Sequence, residues 1–355
     1  MNFGIICEFN PLHDGHKHLI NSVKAENSGI ICAMSGNFVQ RGELAVFDKF
    51  ERAKTAIEAG ADLVLEIPTV CSTLSAQGFA KAGVEILEAT GVCDALAFGA
   101  ECSDVEELKR VANEIKEKDE EIKSELSKGI SYPAARQRVI NSPILEGANN
   151  ILAIEYISQT SLPCVAIKRI GLGHDSEDEL YSASEIRKSL PLDEIASLKN
   201  CEKAVLYKLR TMSEEDFLEI DDVCEGLENR IVQAVKSAKS LDELYDLIKT
   251  KRYTHSRIRR IILRAYLGIT SGMEKELQYL RILAFNSRGA EILSQMKKSA
   301  SLPIITKYGD AKAQDEKIQR LFEQESYFTD IYYLGFNPPR QCEQEKTKQI
   351  YIKAE

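Results

Sequence analysis

The chain has 355 residues, of which 44% are hydrophobic and 28% charged, and a net charge of −9. This is the composition of a globular protein larger than one typical domain. It excludes a protein that coats nucleic acid with its whole surface, and no stretch reaches the ~18 consecutive apolar residues of a membrane span.

The first half alternates between short apolar runs and helical patterns. Strands are predicted at 3–7, 29–34, 62–68 and 95–100, with helices near 15–26, 49–60 and 74–90 between them. Strand and helix at this spacing predict βαβ units and a parallel sheet. The charged run 103–128 reads as one or two solvated helices. A helix at 149–160, a strand at 164–171 and a helix at 182–190 follow, the last with Ser182 or Ser184 near its start and Glu185 in its first turn. After about residue 195 the strand patterns stop, and helix-like segments run to about 268. Residues 300–355 mix a short apolar run, a helix near 313–325 and a polar tail. The expected fold class is therefore α/β. A Rossmann-like parallel-sheet domain spans 1–195, and a mostly α-helical, partly basic domain spans 196–355.

The nine cysteines are scattered, without a CxxC pair or a Cys/His cluster at zinc spacing. They predict a reducing cytoplasm, no disulfides and no metal site. The five-residue apolar run at the start has no basic leader and does not read as a signal peptide. Charge is unevenly spread. Residues 249–298 hold twelve Lys/Arg and three Asp/Glu, so this segment is +9 and the rest of the chain −18. An acidic body with one basic face is expected.

Three of the five histidines (His13, His16, His18) follow the first strand, in "EFNPLHDGH" and just after it. Ligands of a parallel sheet bind beyond the carboxyl ends of its strands. Pro11 stiffens this turn, and Gly15 allows close approach of the backbone to a ligand. The helix that follows directs free amides and its positive dipole end there. An imidazole can donate to a phosphoryl oxygen, more strongly when charged. His13 and His16 are thus candidates to stabilise charge that develops at a nucleotide α-phosphate. On its own such a histidine is more often a cap or a surface residue.

The H-x-G-H stretch resembles the signature of the nucleotidyltransferase superfamily, and "YSASEIR" (181–187) is similar to its Ser-rich helix start with an arginine. "MSGNFVQRGELAVFDKFERAKTAIEAGADLVLEIPTV" (34–70), "GANNILAIEY" (147–156) and "KRYTHSRIRR" (251–260) resemble the bacterial tRNA(Met) cytidine acetate ligase family over nearly the whole chain. Leu44 departs from the proline common in that family. The resemblance implies activation of acetate by ATP to acetyl-adenylate, then acetylation of N4 of the wobble cytidine of elongator tRNA(Met). It implies His13 and His16 as catalytic. It implies ATP contacts from Cys7, Glu8, Phe9, Asn10, Pro11, Leu12, Gly15, Leu19, Gly99, Asn149, Asn150, Arg169, Ile170, Ser182, Ser184 and Arg187. Ser35, Gly36, Asn37, Gln40 and Arg41 form a loop expected to meet acetate. Mg²⁺ is expected to travel with ATP.

Arg257, Arg260 and Arg264 fall at helical spacings of three and four, which places them on one face. With Arg252 they are expected to bind tRNA, and Tyr253 and His255 to stack on it. Two other readings stand beside this one: an adenylyltransferase that builds a small nucleotide cofactor, and a non-enzymatic RNA-binding protein. The sequence leaves the oligomeric state open.

Overall fold

The computed structural model describes residues 1–169, 183–224 and 226–354. Its strands, in chain order, are β1 (Asn2–Cys7), β2 (Gly29–Ser35), β3 (Phe38–Val39), β4 (Glu43–Leu44), β5 (Leu63–Ile67), β6 (Ala95–Ala100), β7 (Cys164–Lys168), β8 (Leu280–Phe285), β9 (Ile304–Ile305) and β10 (Tyr351–Ile352). One sheet has the order β10-β8-β5-β2-β1-β6-β7, with β9 attached to β8; β3 and β4 pair with each other. β5, β2, β1, β6 and β7 are mutually parallel.

β2 shows why these segments read as plain apolar runs: all seven of its residues are buried. Ile30, Cys32 and Met34 point into a layer with Ile20, Phe50 and Ile57, whereas Ile31 and Ala33 point into a layer with Phe79, Leu87 and Ile154. Helices cover both faces, so the period-2 alternation of a half-exposed strand is lost. The helices start where short polar side chains can accept backbone N–H groups. Asp48 caps Lys49–Glu58, Ser75 caps Ala76–Ala89 and Asp104 caps Val105–Glu117.

Beyond residue 195 the chain is mostly helical. Glu202–Arg210, Leu227–Ser237, Leu241–Ile248 and His255–Leu267 pack around Val205, Ile231, Leu244 and Ile261. Phe38, Leu44, Tyr332 and Tyr333 belong to the same cluster, so the β3–β4 hairpin and the helix Glu316–Tyr333 join this region to the sheet.

The expectation that strands end near 195 is overturned. β8 returns to the sheet, antiparallel to β5, and β10 pairs parallel with β8. The segment LRILAF carries Arg281 inside a buried strand, which local patterning reads as unfavourable. Arg281 is tolerated because Glu345, 64 residues later, meets it. Part of the basic surplus of 249–298 is therefore spent inside the protein.

From β1 the chain adds β2 and β5 on one side and then β6 and β7 on the other. The crevice between the carboxyl ends of β1 and β6 is thus the topological switch point, where open α/β sheets hold their ligands.

Candidate active site

The turn after β1 carries the histidines to that crevice. Phe9 adopts φ 44°, in the left-handed region that costs a bulky side chain roughly 1 kcal/mol or more. Its ring meets His16 edge-on at 5.0 Å. His13 is the N-cap of the helix Asp14–Val23, and its Nδ1 accepts from the Gly15 N–H at 3.1 Å. His16 Nδ1 accepts from the His13 N–H at 3.3 Å. The two rings stack with centroids 3.8 Å apart and planes 30° from parallel.

This reciprocal cap fixes the tautomers. Each Nδ1 accepts, so each neutral ring carries its proton on Nε2 and presents a donor there. Burial, then His13 and Arg169, push His16 down to about 3. Burial, then Arg169, lower His13, with Asp14 opposing. Both rings are neutral donors at neutral pH, which settles a protonation state that the sequence left open. A Cβ on Gly15 would lie 2.9 Å from His13 Cε1. The glycine makes room for the capping imidazole, which is a different reason from approach to a ligand. Cys7, Leu19 and half-buried Leu12 form the apolar floor under the turn, and Pro11 is buried within it.

Across the crevice, β6 ends at Gly99 and Ala100, followed by Glu101. Glu101 accepts from Asn149 Nδ2 at 2.7 Å and from the Asn150 N–H at 2.8 Å, at the first turn of the helix Ala148–Gln159. Asn149 Oδ1 accepts from Arg169 Nη1 at 2.9 Å, just past β7. The Gly99 position is open except for Arg169 Cγ, 3.7 Å from where a Cβ would stand. Asn150 is buried and committed elsewhere. It accepts from the Cys102 N–H at 2.8 Å and donates to the Ile144 carbonyl at 3.2 Å. In this arrangement it acts as a lock between the β6 loop and the helix.

Arg187, on the helix Ala183–Ser189, donates to the Asn10 carbonyl at 2.6 Å and to Ser184 Oγ at 3.1 Å. The Ser184–Arg187 pair therefore stands over the histidine turn. Asn10 is buried and accepts from the Val46 N–H at 2.8 Å. Ile170 and Ser182 lie outside the described residues.

The loop after β2 is held mainly by buried charged groups of the next helix and of β5. Arg52 donates to the carbonyls of Glu8, Ser35, Gly36 and Phe47 and so ties the ends of β1 and β2 together. Gly36 lies against Glu66; a Cβ there would be 2.4 Å from Oε1. Glu66 pairs with Lys49 at 2.6 Å, and Lys49 also pairs with Glu345 at 2.5 Å. Asn37 accepts from the Lys49 N–H at 2.9 Å and donates to Thr329 Oγ1 at 3.3 Å. Ser35 and Asn37 are buried, while Arg41 is exposed. The Gln40 N–H donates to Glu8 Oε1 at 2.8 Å. Burial raises Glu8, and the charges of Arg41, Arg52 and Arg187 oppose that rise. One signal could have found the cluster: Glu66 is the lone charge in the apolar strand LVLEI.

The basic helix His255–Leu267 forms as expected, capped by Thr254 and stopped at Gly268 with φ 72°. Its arginines do not share one fate. Arg264 is buried, bonded to Val70 O and Thr73 Oγ1 at 3.0 Å and paired with Asp221. It is a packing residue, which corrects its expected contact with tRNA. Arg260 is also buried and pairs with Asp222 at 3.2 Å. Tyr253 is buried beneath Arg257, whose guanidinium lies 5.2 Å from the ring centroid. Arg252 and Arg257 stay partly exposed. A Cβ on Gly42 would lie 2.4 Å from the Arg260 backbone nitrogen, so the β3–β4 hairpin rests on this helix. Among the described residues no helix is long and apolar enough to cross a membrane.

The family model described as HIGH Nucleotidyl Transferase matches residues 1–200 and 192–349. The tRNA(Met) cytidine acetate ligase of Acetivibrio thermocellus is 37% identical, covering 98% of this chain and 99% of its own length. The chain belongs to the tRNA(Met) cytidine acetate ligase family. The Clostridium perfringens member is 36% identical over 93% of this chain and 94% of its own. Thermotoga maritima TmcAL, crystallised with alpha-thio ATP, superposes with a TM-score of 0.87 at 31% identity, covering 99% of this chain and 100% of its own. The family's parallel-sheet fold is the one built here around the histidine turn.

Proposed function

We propose that this protein is an ATP-dependent ligase that forms acetyl-adenylate and acetylates N4 of the wobble cytidine of elongator tRNA(Met). The observation that carries the reading is the stacked His13–His16 pair at the switch-point crevice, with Arg187 bonded into the same turn and the Arg169 charge felt by both rings. An acetate oxygen attacks the α-phosphorus of ATP and pyrophosphate leaves. The Nε2–H donors of His13 and His16 meet the charge that builds on the α-phosphoryl oxygens. They are neutral and preorganised, so nothing reorients as the charge develops. Ser184 and Arg187, with Arg169 opposite, hold the departing phosphates. The N4 amine then attacks the acetyl carbon, AMP departs and the amine gives up a proton. Positioning and charge stabilisation supply the rate, without a covalent protein intermediate.

The chain offers the triphosphate cations and neutral donors. Its carboxylates at the mouth are already engaged: Glu101 by the Asn149 and Asn150 donors, Asp14 by Lys17. Mg²⁺ is proposed to arrive with ATP. The Ser35–Arg41 loop is proposed to face acetate, and Arg252 and Arg257 to meet tRNA phosphates beside the β3–β4 hairpin that leads to Glu8. The cytoplasm is the proposed compartment.

The test is incubation with ATP, labelled acetate and total tRNA, followed by mass analysis of digested nucleosides. An acetylated cytidine is expected, and it should vanish with His16→Ala. Turnover unchanged in His16→Ala would refute the catalytic assignment.

A further inference from the structure

Arg169 is aimed by a chain of acceptors that begins at Glu101. A carboxylate only accepts, so the end of the Asn149 amide that faces Glu101 must be its NH₂ group, at 2.7 Å. The amide oxygen is then forced to the other side, where it receives Arg169 Nη1 at 2.9 Å. The Arg169 backbone is pinned as well, its N–H donating to the Ala100 carbonyl at 3.1 Å. Glu101 cannot turn away, because its second oxygen holds the Asn150 N–H at 2.8 Å. Asn150 in turn is locked to Cys102 and Ile144.

We propose that Glu101 is a positioning residue: it sets the flip of the Asn149 amide, and that amide holds the Arg169 guanidinium beside the His13–His16 pair. Glu101 does not touch the reacting atoms. It acts from the carboxyl end of β6 through Asn149 to a cation at the end of β7. Three features support the relay. Glu101 stays ionised, since the Asn149 and Asn150 donors outweigh its burial. Arg169 acts electrostatically on both imidazoles. The Gly99 position leaves the guanidinium stem unobstructed. The inference rests on the ATP reading only for what Arg169 then does to a phosphate; the aiming itself is independent of any nucleotide.

The experiment is a histidine titration by NMR on ¹³C-histidine-labelled full-length protein without nucleotide, the His13 signal being assigned by its loss in His13→Ala. Variants are Glu101→Gln, Asn149→Ala, Arg169→Ala and the double Glu101→Gln/Asn149→Ala. The sign discriminates between mechanisms. If Glu101 acted on His13 directly, losing its negative charge would lower the His13 midpoint. If it acts by aiming Arg169, Glu101→Gln releases the guanidinium and the midpoint rises. The expected rise is roughly half a pH unit, the size of one unit charge moved away from a partly solvated site. Arg169→Ala should show the same rise. The double variant should sit no higher than Asn149→Ala alone, because the two residues act in series. A role confined to capping the helix Ala148–Gln159 would lower the melting temperature and leave the midpoint in place. An unchanged or lowered His13 midpoint in Glu101→Gln, with Arg169→Ala raising it, overturns the proposal. So does an additive double variant. ATP affinity is measured on the same proteins and is expected to fall several-fold in Glu101→Gln. Failure of the wild type to bind ATP would count against the ATP reading alone, since the titration is read without nucleotide.

Discussion

His13 and His16 cap the same helix turn and stack on one another at 3.8 Å, each accepting a backbone N–H through Nδ1. The stacking is compatible with two neutral rings and opposed to two charged ones. Two imidazolium ions this close would repel, and neither Nδ1 could accept.

A pH prediction follows from that pair. His16 is held down at about 3, chiefly by burial, against an ordinary value near 6.5. An unfolded chain takes up a proton near pH 6.5 that the folded one refuses, so folding stability is complete above that range and falls as pH drops toward 3. Thermal melts should show a loss of about 1–2 kcal/mol between pH 7 and pH 5 attributable to this site, reduced in His16→Asn. Acetate-dependent ATP–pyrophosphate exchange should be flat through pH 6.5. A step in its pH profile near 6.5 would show that a charged imidazole is needed.

Gly15→Ala should damage chemistry more than stability. The added methyl stands 2.9 Å from the His13 ring and displaces it from the cap. Alanine favours a helix over glycine by up to about 1 kcal/mol, which offsets the lost cap, so the melting temperature should move only a few degrees. Loss of the aligned donor should reduce the exchange rate by about 10²-fold, as for other preorganised oxyanion donors. Exchange kinetics beside a thermal melt separate the two.

The arginines of the helix His255–Leu267 should divide by burial. Arg264→Ala leaves Asp221 facing the interior with one cation fewer, and a loss of roughly 3 kcal/mol in stability is expected. Arg257→Ala should leave the melt nearly unchanged, weaken tRNA binding a few-fold and reduce the log–log salt slope by about 1. Filter binding across a salt series measures this. A normal slope in Arg257→Ala would remove that residue from the interface.

Glu325 predicts a pH effect of opposite sign. Lys49 and Arg281 face three buried carboxyl groups, Glu66, Glu325 and Glu345, and Glu325 accepts from the Thr69 N–H and hydroxyl, both at 2.7 Å. Burial, then Glu66, push Glu325 up to about 8. The folded protein holds a proton there that the unfolded chain releases near 4.5. The stabilisation is complete at acid pH and is lost as pH rises through about 8. Glu325→Gln, which keeps a donor toward Thr69, should melt higher than wild type at pH 9 and differ little at pH 5. Melting curves at both values decide it.

Much of the sheet was legible because burial on two faces makes a strand a run of apolar residues, as in GIICAMS. The turn histidines were legible because the end of a first strand is a fixed place in an α/β fold. Arg264 was misread because helical periodicity gives the face of a residue relative to its own helix and says nothing of what packs there. Glu101 passed unnoticed because its partners, Asn149 and Asn150, lie 48 and 49 residues away.

The sequence by itself determined the parallel strands of the first half, the histidine turn and the family resemblance, since each rests on residues near one another in the chain or on a contiguous motif. Tertiary structure alone decided that β8 and β10 join the sheet, that Arg52 and Lys49 hold the loop after β2, and that the histidines are neutral. Those outcomes depend on which charges meet in a low-dielectric interior. Such meetings join residues far apart in the chain, and no local pattern encodes them.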